Sequence, residues 1–134
     1  MSIKIMSIKK LNNSNIKFLN KILLWNCNKI ENKIEEVFNT LVKEDLDIIA
    51  LNETKLEKNY EASILNHSNY NYVVKSRNKF GGGVGFIINK NIKYEEIEDL
   101  NKFELEVVCI KINIRNKDVF IITYYNPPND KRDK

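Results

Sequence analysis

Glu53 is the residue here best placed to do chemistry. It lies in the run Leu51-Asn52-Glu53-Thr54-Lys55, directly after Asp47-Ile48-Ile49-Ala50, a short apolar stretch that reads as a buried strand. Its carboxylate therefore leaves the end of a rigid strand, where open α/β sheets commonly gather ligand-binding groups. Trp25-Asn26-Cys27-Asn28 ends an earlier apolar run in the same way. If the two strands are parallel, both ends open on one edge, and two amides and one carboxylate converge there. Oxygen donors of this kind suit Mg²⁺ or Mn²⁺, which need only one or two protein carboxylates when phosphate supplies the rest. Each residue also has a plainer reading: Glu53 as a solvated charge, Asn26 as a turn amide, Asn28 as a helix N-cap.

Other chemistry-bearing residues are few. Gly81-Gly82-Gly83 lacks the Gly-Lys-Ser/Thr of a phosphate-binding loop and enters a strand, so close backbone approach or a bulge is expected. His67 is the one histidine and reads as a loop residue with weak credentials as a general base. Tyr124 and Tyr125 end a strand before Pro127-Pro128 and would bring an aromatic beside the same edge. Core packing with a satisfied hydroxyl is their plainer role. Cys27 and Cys109 have no metal-type spacing and read as reduced, buried thiols of an intracellular protein, nuclear or cytoplasmic.

The elements that must position these groups follow from periodicity. A strand is expected over 22–26. A helix follows to about residue 43 on the spacing of Ile30, Ile34, Val37, Phe38 and Leu41, with Asn28 and Glu31 as a capping box. A second strand over 47–52 completes a βαβ unit. An irregular polar stretch runs through His67-Ser68-Asn69. Strands are then expected over 70–75 and 84–88, with a short one within 92–98. Alternating residues over 106–114 turn at Arg115-Asn116-Lys117-Asp118 into a fully buried return strand over 119–125, making an antiparallel hairpin.

At 134 residues, with 43% hydrophobic and 30% charged residues, the chain has room for one domain with a real core. No apolar run is long enough to span a bilayer. The net charge of +4 resides in the first 21 residues, where Lys4, Lys9, Lys10, Lys17 and Lys21 meet no acid. The remainder is slightly acidic, so charge alone names no partner. Residues 1–21 read as a basic, poorly ordered leader, 22–129 as the folded body and 130–134 as a polar tail.

In order, LLWNCN at 23–28, DIIALNETKL at 47–56, Arg77 before GGGVGFII at 81–88, and ITYYNPPN at 122–129 resemble the endonuclease/exonuclease/phosphatase superfamily. The likeness is strongest to the apurinic-type endonuclease domain of non-LTR retrotransposon polyproteins. That resemblance implies an α/β fold with mixed sheets, here the N-terminal half of a four-layered sandwich of two packed sheets flanked by helices. It implies metal-assisted hydrolysis of a phosphodiester with Mg²⁺ or Mn²⁺, and DNA as the partner, with neither membrane nor obligate protein partner. Glu53 matches the metal-binding glutamate and Asn26 the first active-site asparagine. Asn28 matches a metal-supporting position that is often aspartate. Tyr125 matches the tyrosine near the scissile phosphate, and Arg77 joins it as a substrate-binding residue.

The family's later motifs, Gly-Asp-x-Asn and a terminal Ser-Asp-His, are absent. They carry the general base and the groups that position water, and each such group is worth about 10²–10⁴ in rate. The expectation is a chain inactive alone, with apolar sheet surface left uncovered. Two alternatives remain: a phosphoinositide or nucleotide phosphatase of the same superfamily, and a non-catalytic remnant.

Overall fold

The structure is a computed structural model that describes residues 3–7, 21–98 and 106–125. Strand β1 (Ile3–Ser7) runs antiparallel to β2 (Lys21–Asn26), which lies parallel to β3 (Ile48–Asn52). Between β2 and β3 come a 3₁₀ turn (Ile30–Asn32) and helix α1 (Ile34–Lys43), so the expected βαβ unit is present. A second short helix, α2 (Glu61–Leu65), precedes β4 (Tyr70–Lys75) and β5 (Val84–Asn89). These strands form a mixed five-stranded sheet in the order β1-β2-β3-β5-β4. A smaller antiparallel sheet follows, with β6 (Glu95–Glu96), β7 (Val107–Ile114) and β8 (Lys117–Tyr124).

Strand alternation divides the larger sheet between two cores. Leu23, Trp25, Ile49, Leu51 and Ile87 pack against Ile30, Val37 and Leu41 on the helical side. Ile22, Ile48, Ala50, Phe86 and Ile88 meet Val108, Ile110 and Ile112 of the smaller sheet on the other. The described residues thus stack as helices on sheet on sheet, the α/β arrangement the sequence implied.

Several expectations need correction. Ile3–Ser7, placed in a poorly ordered leader, form an edge strand in register with Lys21–Trp25, because their backbone completes the open edge of β2. The capping box does not form: Lys29 occupies the cap of the 3₁₀ turn in a left-handed conformation, and no side chain caps it or α1. The single helix expected from residue 30 is broken into a 3₁₀ turn and α1. The polar stretch after Glu53 is not wholly irregular, since it holds α2 with Leu65 buried in the helical core.

The return strand β8 is not fully buried. Phe120, Ile122 and Tyr124 are 56%, 54% and 64% exposed, while Ile121 and Thr123 face the inter-sheet core. An apolar run reports what a strand could bury on both faces; here a second layer covers only one. The turn is shorter than expected, two residues with Arg115 and Asn116 at φ 54° and 66°. That geometry suits a hairpin because its twist matches the flanking strands. Pro127-Pro128 and the tail 130–134 lie outside the described residues.

Candidate active site

The exits of β2 and β3 are stitched together by backbone hydrogen bonds. The Cys27, Lys29 and Ile30 amides donate to the carbonyls of Asn52, Glu53 and Thr54 at 2.8, 2.9 and 3.0 Å. From the opposite side, the Thr54 and Lys55 amides donate to the carbonyls of Gly83 and Gly82 at 3.2 and 2.9 Å. Glu53 is therefore clamped between two loops, and its backbone is held left-handed at φ 54°. Asn28, Lys29 and Lys55 beside it are left-handed as well, so both loops at this edge turn tightly.

The glycine run explains one side of the clamp. A Cβ on Gly83, at φ 94°, would come within 2.0 Å of Thr54 Oγ1. Glycine is needed for close approach of the β5 lead-in to the Glu53 turn, as the sequence led us to expect, and not for cradling phosphate.

Asn26, Asn52, Glu53 and Tyr125 line one open cavity of about 530 Å³, together with Leu24, Ile122, Thr123 and Tyr124. The structure thus gathers Asn26, Glu53 and Tyr125, which the sequence had placed on different strands. Burial first, and the Glu53 carboxylate second, push the Tyr125 phenol above its ordinary pKa, while Arg77 pulls it partly back. The Arg77 guanidinium carbon sits 5.8 Å from the centre of the Tyr125 ring.

Asn28 is placed differently. Its Oδ1 accepts a hydrogen bond from Lys55 Nζ at 2.6 Å, and it does not line the cavity. His67 is remote, packed between Phe38 and Tyr70 with ring centres 4.5 and 5.0 Å away. Its Nδ1 accepts the Asn69 amide at 3.0 Å, so the histidine closes a turn on the helical side. Cys27 is buried beside the edge, and desolvation pushes its thiol up to about 12, so it is neither a ready ligand nor a nucleophile.

Glu106 escaped notice in the sequence, where it is merely the polar residue before β7. Its Oε1 accepts the Gly83 amide at 2.7 Å and its Oε2 pairs with Arg77 Nη1 at 3.3 Å. Its main-chain oxygen accepts the Tyr125 amide at 2.9 Å. The one available signal was its location: it opens the strand that pairs with β8, whose end carries Tyr125.

Among the described residues no three His, Cys, Asp or Glu side chains come together as a metal cage. The donor set still fits a hard cation held by few protein ligands. It offers one carboxylate, Glu53, and two amide side chains on the same cavity. Among the described residues the buried oxygens of Asn52, Thr54 and Thr123 have no hydrogen-bond partner, and Asn52 and Thr123 line the cavity. Unsatisfied buried acceptors call for a bound species or water.

The sequence profile of the endonuclease/exonuclease/phosphatase family matches residues 23–133, most of the chain. The chain belongs to this family. No curated protein matches it. Its fold is similar to that of the endonuclease domain of TRAS1, a telomere-specific non-LTR retrotransposon, with a TM-score of 0.60 and 10% identity. That match covers 84% of this chain and 47% of the other. The catalytic domain of Xenopus laevis APE2 aligns with a TM-score of 0.57 at 20% identity, over 83% and 46% of the two chains. A Neisseria 3′ phosphatase, NExo, bound to a product DNA hairpin aligns at 0.51 and 20% identity, over 74% and 39%. At these identities the likeness establishes the fold, and the chain spans about half the length of these structures or less.

Proposed function

We propose that this chain supplies the metal-binding side of a divalent-cation-dependent phosphodiesterase site acting on DNA, of the kind found in non-LTR retrotransposon endonucleases. The observation that carries the reading is the convergence of Glu53, Asn26 and Tyr125 on one cavity at the strand exits. Glu53 would hold Mg²⁺ or Mn²⁺, with the Asn26 amide alongside. When bound, the cation supplies charge stabilisation at the phosphate and leaving oxygen. Tyr125 carries a phenol that is protonated at neutral pH and would donate a hydrogen bond towards a phosphate oxygen. Arg77, held near the Tyr125 ring, offers a guanidinium suited to phosphate. DNA as substrate is supported by the DNA-bound structural relative.

The described residues hold neither a histidine at the cavity nor a second carboxylate lining it. Nicking should be assayed on a chain completed to the length of its structural relatives, with supercoiled plasmid and added Mg²⁺ or Mn²⁺. Glu53→Gln is expected to lower nicking by at least about 10²-fold. Undiminished nicking by that variant, or full activity in chelator, would refute the assignment.

A further inference from the structure

We propose that Glu106 is a positioning residue that locks the metal side and the substrate side of this site into one frame. The proposal rests on the reading of Glu53 and Tyr125 as the two sides of a phosphodiester site. Glu53 stands at the exit of β3 in the larger sheet, and Tyr125 follows β8 in the smaller one. Side chains on two different sheets keep a fixed spacing only if something rigid spans them, and a misplacement of about 1 Å can cost on the order of 10²-fold in rate.

Glu106 spans them with both carboxylate oxygens and its main chain. Starting from Glu53, the next residue, Thr54, donates its amide to the Gly83 carbonyl at 3.2 Å. Gly83 in turn donates its own amide to Glu106 Oε1 at 2.7 Å. The Glu106 carbonyl then receives the Tyr125 amide at 2.9 Å. Every step from Glu53 to Tyr125 is a hydrogen bond or a covalent neighbour. The second carboxylate oxygen holds Arg77, whose Nε also donates to the Gly81 carbonyl at 3.2 Å.

The setting favours a fixed bridge over a loose surface pair. The Glu106 side chain is 15% exposed against 44% for Arg77, so the carboxylate is the sheltered partner. Charge-assisted bonds from a backbone amide and a guanidinium are stronger than neutral ones. The glycine run is shaped to admit this carboxylate: a Cβ on Gly82, at φ 69°, would lie 2.2 Å from Glu106 Oε1. Gly83 serves the Thr54 contact and Gly82 the Glu106 contact, which gives two of the three glycines separate duties.

Two substitutions separate the parts of the bridge. Glu106→Gln keeps an oxygen for the Gly83 amide and loses the charge that holds Arg77; Glu106→Ala loses both. In the chain itself, amide hydrogen exchange read by NMR should show Gly83, Thr54 and Lys55 exchanging at least about tenfold faster in Glu106→Ala. Val37 in α1 should be unchanged, and Glu106→Gln should leave Gly83 protected. Exchange at Thr54 and Lys55 that stays at the wild-type rate in Glu106→Ala would overturn the bridge. In the completed chain, Glu106→Gln should lower kcat for nicking by about 10-fold or more while its melting temperature holds. Combining it with Arg77→Ala should cost no more than Arg77→Ala alone, because both remove one unit. Losses that multiply would show that Glu106 does not act through Arg77. A completed wild-type chain that fails to nick would count against the proposed function, and the exchange experiment would still decide the role of Glu106.

Discussion

The two regions that meet at the cavity are built to different standards. The Glu53 side stands on β2 and β3, inner strands whose apolar side chains, Leu24 excepted, are covered by helices on one face and by the second sheet on the other. The Tyr125 side stands on β8, an edge strand with one covered face and an outer face of Phe120, Ile122 and Tyr124 open to solvent. Leu24, Ile122 and Tyr124 carry that apolar surface into the cavity wall itself. An exposed apolar surface therefore lies beside the site. The geometry at Glu53 is thus set by strands inside a covered sheet, whereas Tyr125 hangs from an edge strand by the β7 ladder and the Glu106 carbonyl.

Substitutions on each side put this difference to the test. The largest effect should come from the covered side: Phe86→Ala, in the inter-sheet core, should destabilise the chain by about 3–5 kcal/mol in urea unfolding. A loss below about 1 kcal/mol would mean the core is not packed as described. Next comes the clamp. Gly83→Ala forces a side chain into a left-handed position against Thr54 and should cost on the order of 1–3 kcal/mol. The same variant should weaken Mn²⁺ binding measured by calorimetry, since the Glu53 turn must move. Binding that is indifferent to Gly83→Ala would separate the glycine run from the site. The smallest effect belongs to the open face: Ile122→Lys should change stability by no more than about 0.5 kcal/mol and lessen self-association in light scattering. A large destabilisation there would show that β8 is covered after all.

Legibility from sequence followed the range of the interaction. The βαβ unit could be read because its apolar positions recur locally at helical and strand periods, and parallel pairing then places the exits carrying Asn26 and Glu53 on one edge. Asn28 was read as a cap because Glu31 lies nearby in sequence, yet its partner is Lys55, 27 residues away. Glu106 was invisible for the same reason: its side-chain contacts lie 23 and 29 residues back. The burial of β8 was overestimated because an apolar run carries no record of which faces find a covering layer.

The βαβ unit, the later strand pairs, the α/β class and the family were legible in the sequence, as were a carboxylate and an amide at adjacent strand ends. Those properties rest on local periodicity and on ordered motifs. Tertiary structure alone decided that Glu53 would be held left-handed between two loops, that Asn28 would turn to a lysine, and that Glu106 would join the two sheets. Each of these depends on backbone hydrogen bonds and charges brought together from distant segments. Pairing of distant strands within the larger sheet fixes the first two, and the packing of the second sheet on the first fixes the third.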